Sequence, residues 1–275
     1  MAAGEKDPFQ DVVEHYQQVD EDSRLRTGWF PLEFARTQEL ILRHLSPAPA
    51  AVLDVGGGSG VYAGWLASLG YEAHLIDPVP KHIEQALERS TRQQRPIASM
   101  RIGDARKLEE YDHSADAILL LGPLYHLTER SDRLTCLKEA FRVLRIGGIV
   151  FTVAISRFAS LLDSLAHGFF DQPDFTPILE RDLRDGQHRN LTGKAEYFTT
   201  AYFHRPDEFA AELSEAGFRL QELAGIEGPG WLAKDFDRLW AHPGERERLL
   251  QYVHKVEHEP ALLGASPHIM AIGKK

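Results

Sequence analysis

The stretch VLDVGGGSG at residues 52–60 constrains the fold of this chain more than any other segment. Its first half is apolar and partly β-branched, which is typical of a strand buried on both faces, and we place that strand at residues 50–55. The consecutive glycines let the backbone turn sharply and let a ligand approach with no Cβ in the way. A helix is predicted to begin near Ser59, and its first N–H groups suit a phosphate or a carboxylate. Residues 54–60 are therefore predicted to form a cofactor site.

Two cofactor patterns fit this turn. Gly58, Gly60 and Ala63 satisfy the loose dinucleotide pattern G-x-G-x-x-G/A, which would make the chain an NAD(P)-dependent oxidoreductase. In another register, residues 54–60 read D-x-G-x-G-x-G. That register resembles the first motif of class I S-adenosylmethionine-dependent methyltransferases. The segments that follow along the chain discriminate between the two patterns.

Two later strands are predicted to end at acidic residues. The segment YEAHLIDP at residues 71–78 predicts a second strand that ends at Asp77, whose carboxylate can accept both hydroxyl protons of a ribose. That feature fits either family. The segment ASMRIGDARKL at residues 98–108 predicts a third strand that closes on Asp104 and Ala105. A carboxylate there resembles the methyltransferase residue that contacts the adenine amino group, and the dinucleotide pattern has no counterpart for it.

The fourth match is ADAILLLGPLYHL at residues 115–127, which predicts a strand that runs into a loop. Its end, GPLYHL, resembles the corresponding segment of small-molecule methyltransferases. Because the four matches occur in the right order over residues 50–155, the chain resembles a class I S-adenosylmethionine-dependent methyltransferase of the small-molecule, methyltransferase-11/25-like type. A subunit or regulator that binds the cofactor without catalysis is an alternative that the sequence leaves open.

The resemblance implies S-adenosylmethionine as the cofactor and gives roles to particular residues. The glycine turn would face the amino-acid part of the cofactor, and Asp54 would hold that turn through its own hydrogen bonds. Asp77 would bind the ribose, Asp104 with Ala105 the adenine, and Leu121 the methionyl side, while an aromatic residue of the N-terminal region would cover the cofactor. The residues placed at the cofactor in this way are Tyr16, Asp54, Gly56, Gly58, Gly60, Asp77, Asp104, Ala105 and Leu121.

The implied reaction is an in-line transfer of a methyl group from a sulfonium to a nucleophile, so positioning of the acceptor supplies much of the rate. If the acceptor carries a hydroxyl or an N–H, a base adds a smaller factor. His126 is the candidate base, because the loop after the fourth strand opens where open α/β folds bind ligands. Tyr125 beside it could shape the methyl channel. Arg26 and Arg36 could reach the carboxylate of the cofactor, although a solvated surface role is the favoured expectation for each.

Composition narrows the acceptor and the compartment. The chain has 31 basic and 41 acidic residues, a net charge of −10, which disfavours a nucleic-acid surface and favours a small organic acceptor. No signal peptide or membrane span is predicted, and one cysteine, Cys136, allows no intrachain disulfide, so we expect a cytoplasmic protein. The histidines show no metal-ligand spacing, so no metal is expected. Whether oxygen, nitrogen, sulfur or carbon is methylated stays open, as does the oligomeric state.

The order of predicted elements is two helices followed by alternating strands and helices, which predicts an α/β fold with a parallel sheet covered on both faces. The resemblance implies a Rossmann-like methyltransferase sheet of seven strands in the order 3-2-1-4-5-7-6, the last strand antiparallel. We divide the chain into an N-terminal helical cap, a cofactor-binding core, an insertion or lid after strand five, and a completion of the core sheet. These parts are residues 1–46, 47–155, 156–205 and 206–275.

Three regions outside the core carry further expectations. Helices are predicted at residues 7–19 and 31–45, and a last strand at residues 268–272. The insertion is predicted to hold one amphipathic helix over residues 158–169 and a cluster of aromatic residues. Those aromatics could form a small core of the insertion or line a lid over the acceptor, and both roles can hold for different members. They are Phe169, Phe170, Phe175, Tyr197, Phe198, Tyr202 and Phe203.

Overall fold

The computed structural model describes Val13, Tyr16 and residues 28–275. The predicted N-terminal helix at residues 7–19 therefore falls mostly outside the described residues, although Val13 and Tyr16 are both helical. Arg26 also lies outside the described residues. No helix among the residues that are described is both long and apolar enough to cross a membrane.

The described residues form one mixed sheet with helices on both of its faces. The strands are β1 (Ala51–Val55), β2 (Glu72–Asp77), β3 (Ser99–Ile102), β4 (Ala115–Leu120), β5 (Leu144–Ser156), β6 (Gln187–His188), β7 (Ala201–His204), β8 (Arg219–Gly225) and β9 (His268–Lys274). From residue 30 onward, the α-helices are α1 (Phe30–His44), α2 (Val61–Ser68), α3 (Pro80–Ser90), α4 (Pro123–His126), α5 (Arg130–Val143), α6 (Ala159–His167), α7 (Thr176–Asp185), α8 (Pro206–Glu215), α9 (Phe236–Ala241), α10 (Pro243–Val256) and α11 (Pro260–Leu263).

The sheet has the predicted methyltransferase topology. Strands β3, β2, β1, β4 and β5 are parallel neighbours in that order. Strand β9 then lies antiparallel between β5 and β8, so the last strand of the chain takes the predicted place. The predicted strand count was wrong, because β6 and β7 add two short strands to the seven. Strand β7 pairs with the last two residues of β5, beyond the point where β4 ends.

Side chains of the central strands alternate between the two faces of the sheet and so contribute to two hydrophobic cores. In β1, Leu53 and Val55 join the core formed with α5 and α8, whereas Val52 faces the core formed with α1, α2 and α3. Side chains of a strand point alternately to opposite faces, so a strand that is apolar at successive positions must be covered on both. The buried run that predicted β1 therefore also specifies the two helical layers.

The loop regions differ in two places from the expectations. The segment after β4 is not an open loop, because Pro123–His126 forms the one-turn helix α4. The insertion contains two helices, α6 and α7, rather than one. Pairing of β6 with β7 gives it a two-stranded edge as well.

Buried ion pairs fasten α1 to the C-terminal part of the chain. Arg36 is fully buried, pairs with the carboxylates of Glu39 and Glu257, and donates from Nε to the carbonyl oxygen of Ile226 at 3.2 Å. It does not line the cleft described below, so the expectation that Arg36 could reach a cofactor carboxylate was wrong. Arg43 adds a second cation to Glu257, with Nη1 and Oε1 2.9 Å apart. The side chain of Glu257 is only 1% exposed.

Burial alone would raise the pKa of Glu257, but hydrogen bonds and charges from Arg43 and Arg36 outweigh it and hold that pKa below its usual range. A carboxyl group whose pKa is lower in the folded state stabilises the fold above its unfolded pKa. That stabilising contribution is lost as the pH falls through the lower pKa of the folded state. The network should therefore weaken on acidification.

We expect Glu257→Gln to lower the free energy of unfolding by about 3 kcal/mol at neutral pH, because it removes the buried one of the two carboxylates that pair with the buried Arg36 guanidinium. Urea unfolding measures this loss. The loss should shrink as the pH falls below the usual carboxyl pKa, because the wild type then loses the same charge. The matched control is Glu245→Gln, which removes the exposed pair between Arg238 and Glu245 and should leave the unfolding midpoint unchanged. Equal effects of the two substitutions would contradict the argument.

Candidate active site

A cleft opens at the edge of the sheet where the parallel strands end. It is lined by the residues that follow β1, β2, β3 and β4. Open parallel sheets bind ligands at this edge, where loops from neighbouring strands converge. All but one of the sequence-predicted cofactor residues line it, and both predicted catalytic residues do. They are Tyr16, Asp54, Gly56, Gly58, Asp77, Asp104, Ala105, Leu121, Tyr125 and His126.

Two glycines of the turn after β1 combine a positive φ with close neighbours. Gly56 has φ of 67°, and a Cβ there would lie 2.5 Å from Cγ of Pro123. Gly60 is the predicted residue that does not line the cleft. Its φ is 74°, and a Cβ would meet Leu75 Cδ2 at 3.1 Å in the core below α2. Gly56 therefore keeps the cleft open, whereas Gly60 lets α2 pack on the sheet.

Asp54 is a buried carboxyl group beneath the glycine turn. Its Oδ2 accepts the backbone N–H of Ala63 at 3.0 Å, while Oδ1 is buried with no hydrogen-bond partner. Burial raises the pKa of Asp54 to about 7, and the nearby charge of Asp77 adds to the rise against the opposing hydrogen bond from Ala63. Buried polar atoms are normally paired, so the unpartnered Oδ1 on the cleft wall indicates a place for a ligand donor.

Asp77 connects three neighbouring backbone segments. Its Oδ2 accepts the N–H of Gly58 at 2.8 Å, and its Oδ1 accepts the N–H of Val79 and Nδ1–H of His82, both at 2.9 Å. A carboxylate offers about four lone-pair sites, so the protein itself already occupies three of them. Asp77 can therefore take one ribose hydroxyl more readily than the two that the sequence suggested.

His82 is a cleft residue that the sequence analysis missed. It lies in the first turn of α3, is 4% exposed and donates Nδ1–H to Asp77. Its Nε2 is buried with no hydrogen-bond partner, although the side chain lines the cleft. The ring of Tyr16 stands edge-on to it, with centroids 5.7 Å apart. The available signal was its place just after a strand-ending acidic residue, because the first turn of such a helix faces the same sheet edge as Asp77.

Asp104 follows β3 and meets a cation of its own loop. Arg106 donates from Nε to both carboxylate oxygens at 3.1 Å, and its backbone N–H reaches Oδ1 at 2.8 Å. Partial burial would raise the pKa of Asp104, but Arg106 outweighs it and holds the pKa below its usual value. Asp104 is therefore anionic and fixed in place on the cleft wall beside Ala105.

A second cavity, here called the aromatic chamber, adjoins the cleft beneath the insertion. It is lined by rings from widely separated parts of the chain, including Trp29, Phe175, Tyr197, Phe198, Phe203 and Trp231. Phe175 and Tyr197 also pack with Ile178 and Leu179 as a small core of the insertion, which is one of the two expected roles of the aromatic residues. Phe170 is 46% exposed, and Tyr202 instead packs 3.8 Å below the guanidinium of Arg133.

The cleft and the aromatic chamber share three lining residues, Tyr16, Tyr125 and His268, and we call this place the junction. His126 stands next to it and is 8% exposed. The hydroxyl of Tyr16 lies 2.9 Å from His126 Nε2, and Nδ1 of His126 faces the carbonyl oxygen of Thr200 at 3.4 Å. Because Nδ1 can only donate to that carbonyl, Nε2 accepts the Tyr16 hydroxyl in the neutral tautomer. The structure thus brings the predicted catalytic residues to the boundary between the two cavities.

Comparison with known proteins agrees with this geometry. Residues 53–152 match the family model described as a methyltransferase domain. A malonyl-[acyl-carrier protein] O-methyltransferase of Methylococcus capsulatus is 34% identical over 110 residues, which are 39% of this chain and 38% of that protein. A ubiquinone biosynthesis O-methyltransferase of Xanthomonas axonopodis pv. citri is 24% identical over 79% of this chain and 86% of its own. A solved S-adenosylmethionine-dependent methyltransferase of Methanosarcina mazei has a TM-score of 0.59 at 18% identity, covering 86% of this chain and 96% of that one.

Residues 53–152 carry a methyltransferase domain, and the sheet order and the cleft are those of an S-adenosylmethionine-dependent methyltransferase. S-adenosylmethionine is its cofactor. The NAD(P)-dependent alternative is thereby set aside, and Gly58, Gly60 and Ala63 do not serve as a dinucleotide pattern. The residues of the cleft fit the cofactor, because Asp54 Oδ1 and His82 Nε2 are buried acceptors that need donors from a ligand.

We expect Asp54→Asn to remove a pH-dependent component of stability. A carboxyl group whose folded pKa is raised stabilises the fold fully below its unfolded pKa, and this contribution is lost as the pH rises towards about 7. The wild-type free energy of unfolding should fall by up to about 1.4 kcal/mol per pH unit from this group. Urea unfolding of the ligand-free protein between about pH 4 and about pH 8 measures the slope. Identical slopes for wild type and variant would contradict the assignment.

Proposed function

We propose that this methyltransferase transfers the methyl group to a small organic acceptor by in-line displacement. One observation carries the proposal: the cofactor cleft and the aromatic chamber meet at the junction formed by Tyr16, Tyr125 and His268. A methyl donor in the cleft and an acceptor in the chamber would face each other there. Reacting atoms held in line at about 3–3.5 Å gain much of the rate enhancement from orientation alone.

The cofactor roles follow the walls of the cleft. We propose that Asp77 and His82 bind the ribose, that Asp104 with Ala105 faces the adenine, and that the turn around Gly56 and Gly58 holds the amino-acid part. Support comes from their convergence on one cleft and from the unpartnered acceptor atoms of Asp54 and His82. Bound S-adenosylmethionine supplies an electrophilic methyl group on a sulfonium, whose thioether is a good leaving group. The protein therefore has to bind the cofactor and the acceptor, orient them and keep water out.

The remaining proposed roles concern the acceptor side. Tyr16 and Tyr125 would border the path of the methyl group, with Leu121 on the methionyl side, and His126 is the sequence-predicted base. Residues 156–205 would act as the lid, residues 1–46 as the cap, and residues 47–155 with 206–275 as the core. The relatives named O-methyltransferases of ubiquinone biosynthesis are compatible with a small acceptor. The aromatic lining suits a flat or apolar molecule.

Calorimetric titration with S-adenosylmethionine, S-adenosylhomocysteine and NADH tests the cofactor site on protein freed of co-purified ligand. We expect binding of both sulfur nucleotides and none of NADH, because the acceptor atoms of the cleft match a nucleoside with an attached amino acid. A screen of small acceptors for S-adenosylhomocysteine release then tests turnover. Binding without turnover on any acceptor would favour the non-catalytic subunit or regulator instead.

Removal of the ribose-binding groups should weaken cofactor affinity without unfolding the protein. We expect Asp77→Asn to reduce the binding free energy of S-adenosylhomocysteine by about 1.5–3 kcal/mol, since it removes a charge-assisted hydrogen bond. His82→Phe keeps a ring of similar shape and should also weaken binding. Its effect should be smaller for a deoxyribose analogue of S-adenosylhomocysteine that lacks the hydroxyl facing Nε2. Calorimetry with the two ligands measures both losses.

The matched control for these variants is Asp116→Asn. Asp116 also accepts a backbone N–H, that of Ala51 at 2.8 Å, but it lies at the opposite end of the sheet, where β4 begins. The substitution Asp116→Asn should leave the affinity for S-adenosylhomocysteine unchanged. Unchanged affinity in Asp77→Asn and His82→Phe as well would remove the ribose assignment.

A further inference from the structure

The antiparallel strand β9 delivers a histidine to the edge of the sheet where the cofactor binds. His268 is the first residue of β9 and pairs with Ile155 near the end of β5. Glu227 lies two residues beyond the end of β8, which runs parallel to β5 because both are antiparallel to β9. The two side chains therefore arrive at the same edge from opposite chain directions, which is why no sequence motif links them.

Glu227 is fully buried and rigidly held. Its Oε2 accepts the hydroxyl of Ser266 at 2.8 Å and the backbone N–H of His268 at 3.1 Å. Its Oε1 accepts Nδ1–H of His268 at 2.7 Å. The hydroxyl oxygen of Ser266 in turn accepts the backbone N–H groups of Glu227 and Gly228. A carboxylate on Nδ1 fixes the tautomer of the ring and stabilises the imidazolium that forms when Nε2 takes a proton.

The two histidines near the junction have different partners. His126 is engaged on Nε2 by the hydroxyl of Tyr16 and faces a backbone carbonyl through Nδ1. His268 lines both the cleft and the aromatic chamber and is supported by the buried carboxylate of Glu227. A general base needs an oriented ring and a stabilised conjugate acid. His268 meets both needs, whereas His126 is arranged to hold Tyr16.

The geometry points to His268, oriented by Glu227, as the general base that deprotonates a phenolic hydroxyl of the acceptor at the junction. This inference deepens the proposed function and depends on it. The proton of the acceptor hydroxyl passes to Nε2 of His268. The oxygen lone pair forms the new bond to the methyl carbon, and the sulfur–methyl bond breaks with its electron pair going to sulfur. The products are the methyl ether, S-adenosylhomocysteine and the imidazolium.

The chemistry of the Glu227–His268 pair and the lining of the aromatic chamber together favour a phenol as the acceptor. An aliphatic hydroxyl is a much weaker acid than a phenol, so an imidazole ionises it far less, and a neutral amine attacks through a lone pair that needs no prior deprotonation. A phenol, with a pKa of about 10, lies between these cases, so a base raises its nucleophilicity directly. Its ring suits a chamber whose walls include Trp29, Phe198 and Trp231. A thiol needs less help, because it ionises more readily.

Carboxylates from two parts of the chain face the His268 ring. Glu227 lies on Nδ1, and the carboxylate of Glu33 from α1 lies 3.8 Å from the same nitrogen. Carboxylate oxygens of Glu33 and Glu227 and an imidazole nitrogen of His268 come within 4.8 Å of one another, a spacing at which such atoms can hold a metal ion. Both oxygens of Glu227 already accept hydrogen bonds from Ser266 and His268, which is the arrangement of an acid–base pair.

The test uses the full chain saturated with S-adenosylhomocysteine and the probe 4-cyanophenol at neutral pH, where the free probe is mostly protonated. We expect the wild type to bind the probe largely as the phenolate, seen as the red-shifted absorbance of the ionised ring. His268→Gln should bind the probe in its protonated form. With S-adenosylmethionine, kcat/KM for 4-cyanophenol should fall about 100-fold or more in this variant. Its affinity for S-adenosylhomocysteine, measured by calorimetry, should change less than about twofold, because the proposed role lies on the acceptor side.

Two further variants separate base, positioning and structural roles. Glu227→Gln should give an intermediate loss of kcat and shift the pH–rate profile, because the conjugate acid loses its counter-charge while the side-chain shape is kept. His258→Gln is the matched control, since His258 also pairs with a glutamate, Glu222, at 2.7 Å, but is 52% exposed and away from both cavities. It should behave as wild type. Urea unfolding of each variant identifies any loss that comes from misfolding.

Each outcome decides between defined alternatives. If the wild type binds S-adenosylhomocysteine but does not bind 4-cyanophenol, or binds it protonated, the inference is overturned while the cofactor part of the proposed function stands. If His126→Asn rather than His268→Gln abolishes ionisation of the probe, the base is His126. If the wild type fails to bind S-adenosylhomocysteine, the proposed function itself fails.

Discussion

The carboxylate of Asp77 is the interaction on which the rest of the site depends. It ties the glycine turn after β1 to the turn after β2 through the N–H groups of Gly58 and Val79, and it orients His82 from α3. Without that acceptor, these backbone donors would be unpaired at a buried sheet edge, which costs free energy. One side chain therefore both shapes the cleft and supplies part of its chemistry.

The second constraint is the direction of the last strand. Because β9 runs against its neighbours, its first residue, rather than its last, lies at the edge where the cofactor binds. The helix α1 is fastened to the C-terminal part of the chain by the buried pair of Arg36 and Glu257, and α1 lines the cleft at the same edge. The junction between cleft and chamber is thus assembled from Tyr16, Tyr125 and His268, three residues far apart in the chain.

The core of the fold was predictable because its signals are local. An apolar run that continues straight into glycines specifies a buried strand and a turn, and Asp77 and Asp104 mark the ends of the strands that follow it. The insertion was less predictable: α6 matches the amphipathic helix predicted over residues 158–169, whereas α7 was not predicted and the strands β6 and β7 are too short to show a repeat. Their packing around Phe175 and Tyr197 is a tertiary effect. The helix α4 was hidden for a similar reason, because one turn is too short to show a repeat.

The sequence by itself determined the class of fold, the cofactor edge of the sheet and most residues of the cleft, because these depend on patterns within a few residues of each strand end. Only the tertiary structure decided which residues meet across long separations. In the tertiary structure His82 is hydrogen-bonded to Asp77, and Glu227 is hydrogen-bonded to His268. Arg36 lies in a buried ion pair rather than at the cofactor cleft. Such contacts arise from strand order and strand direction, and a linear pattern contains neither distance nor orientation between distant segments.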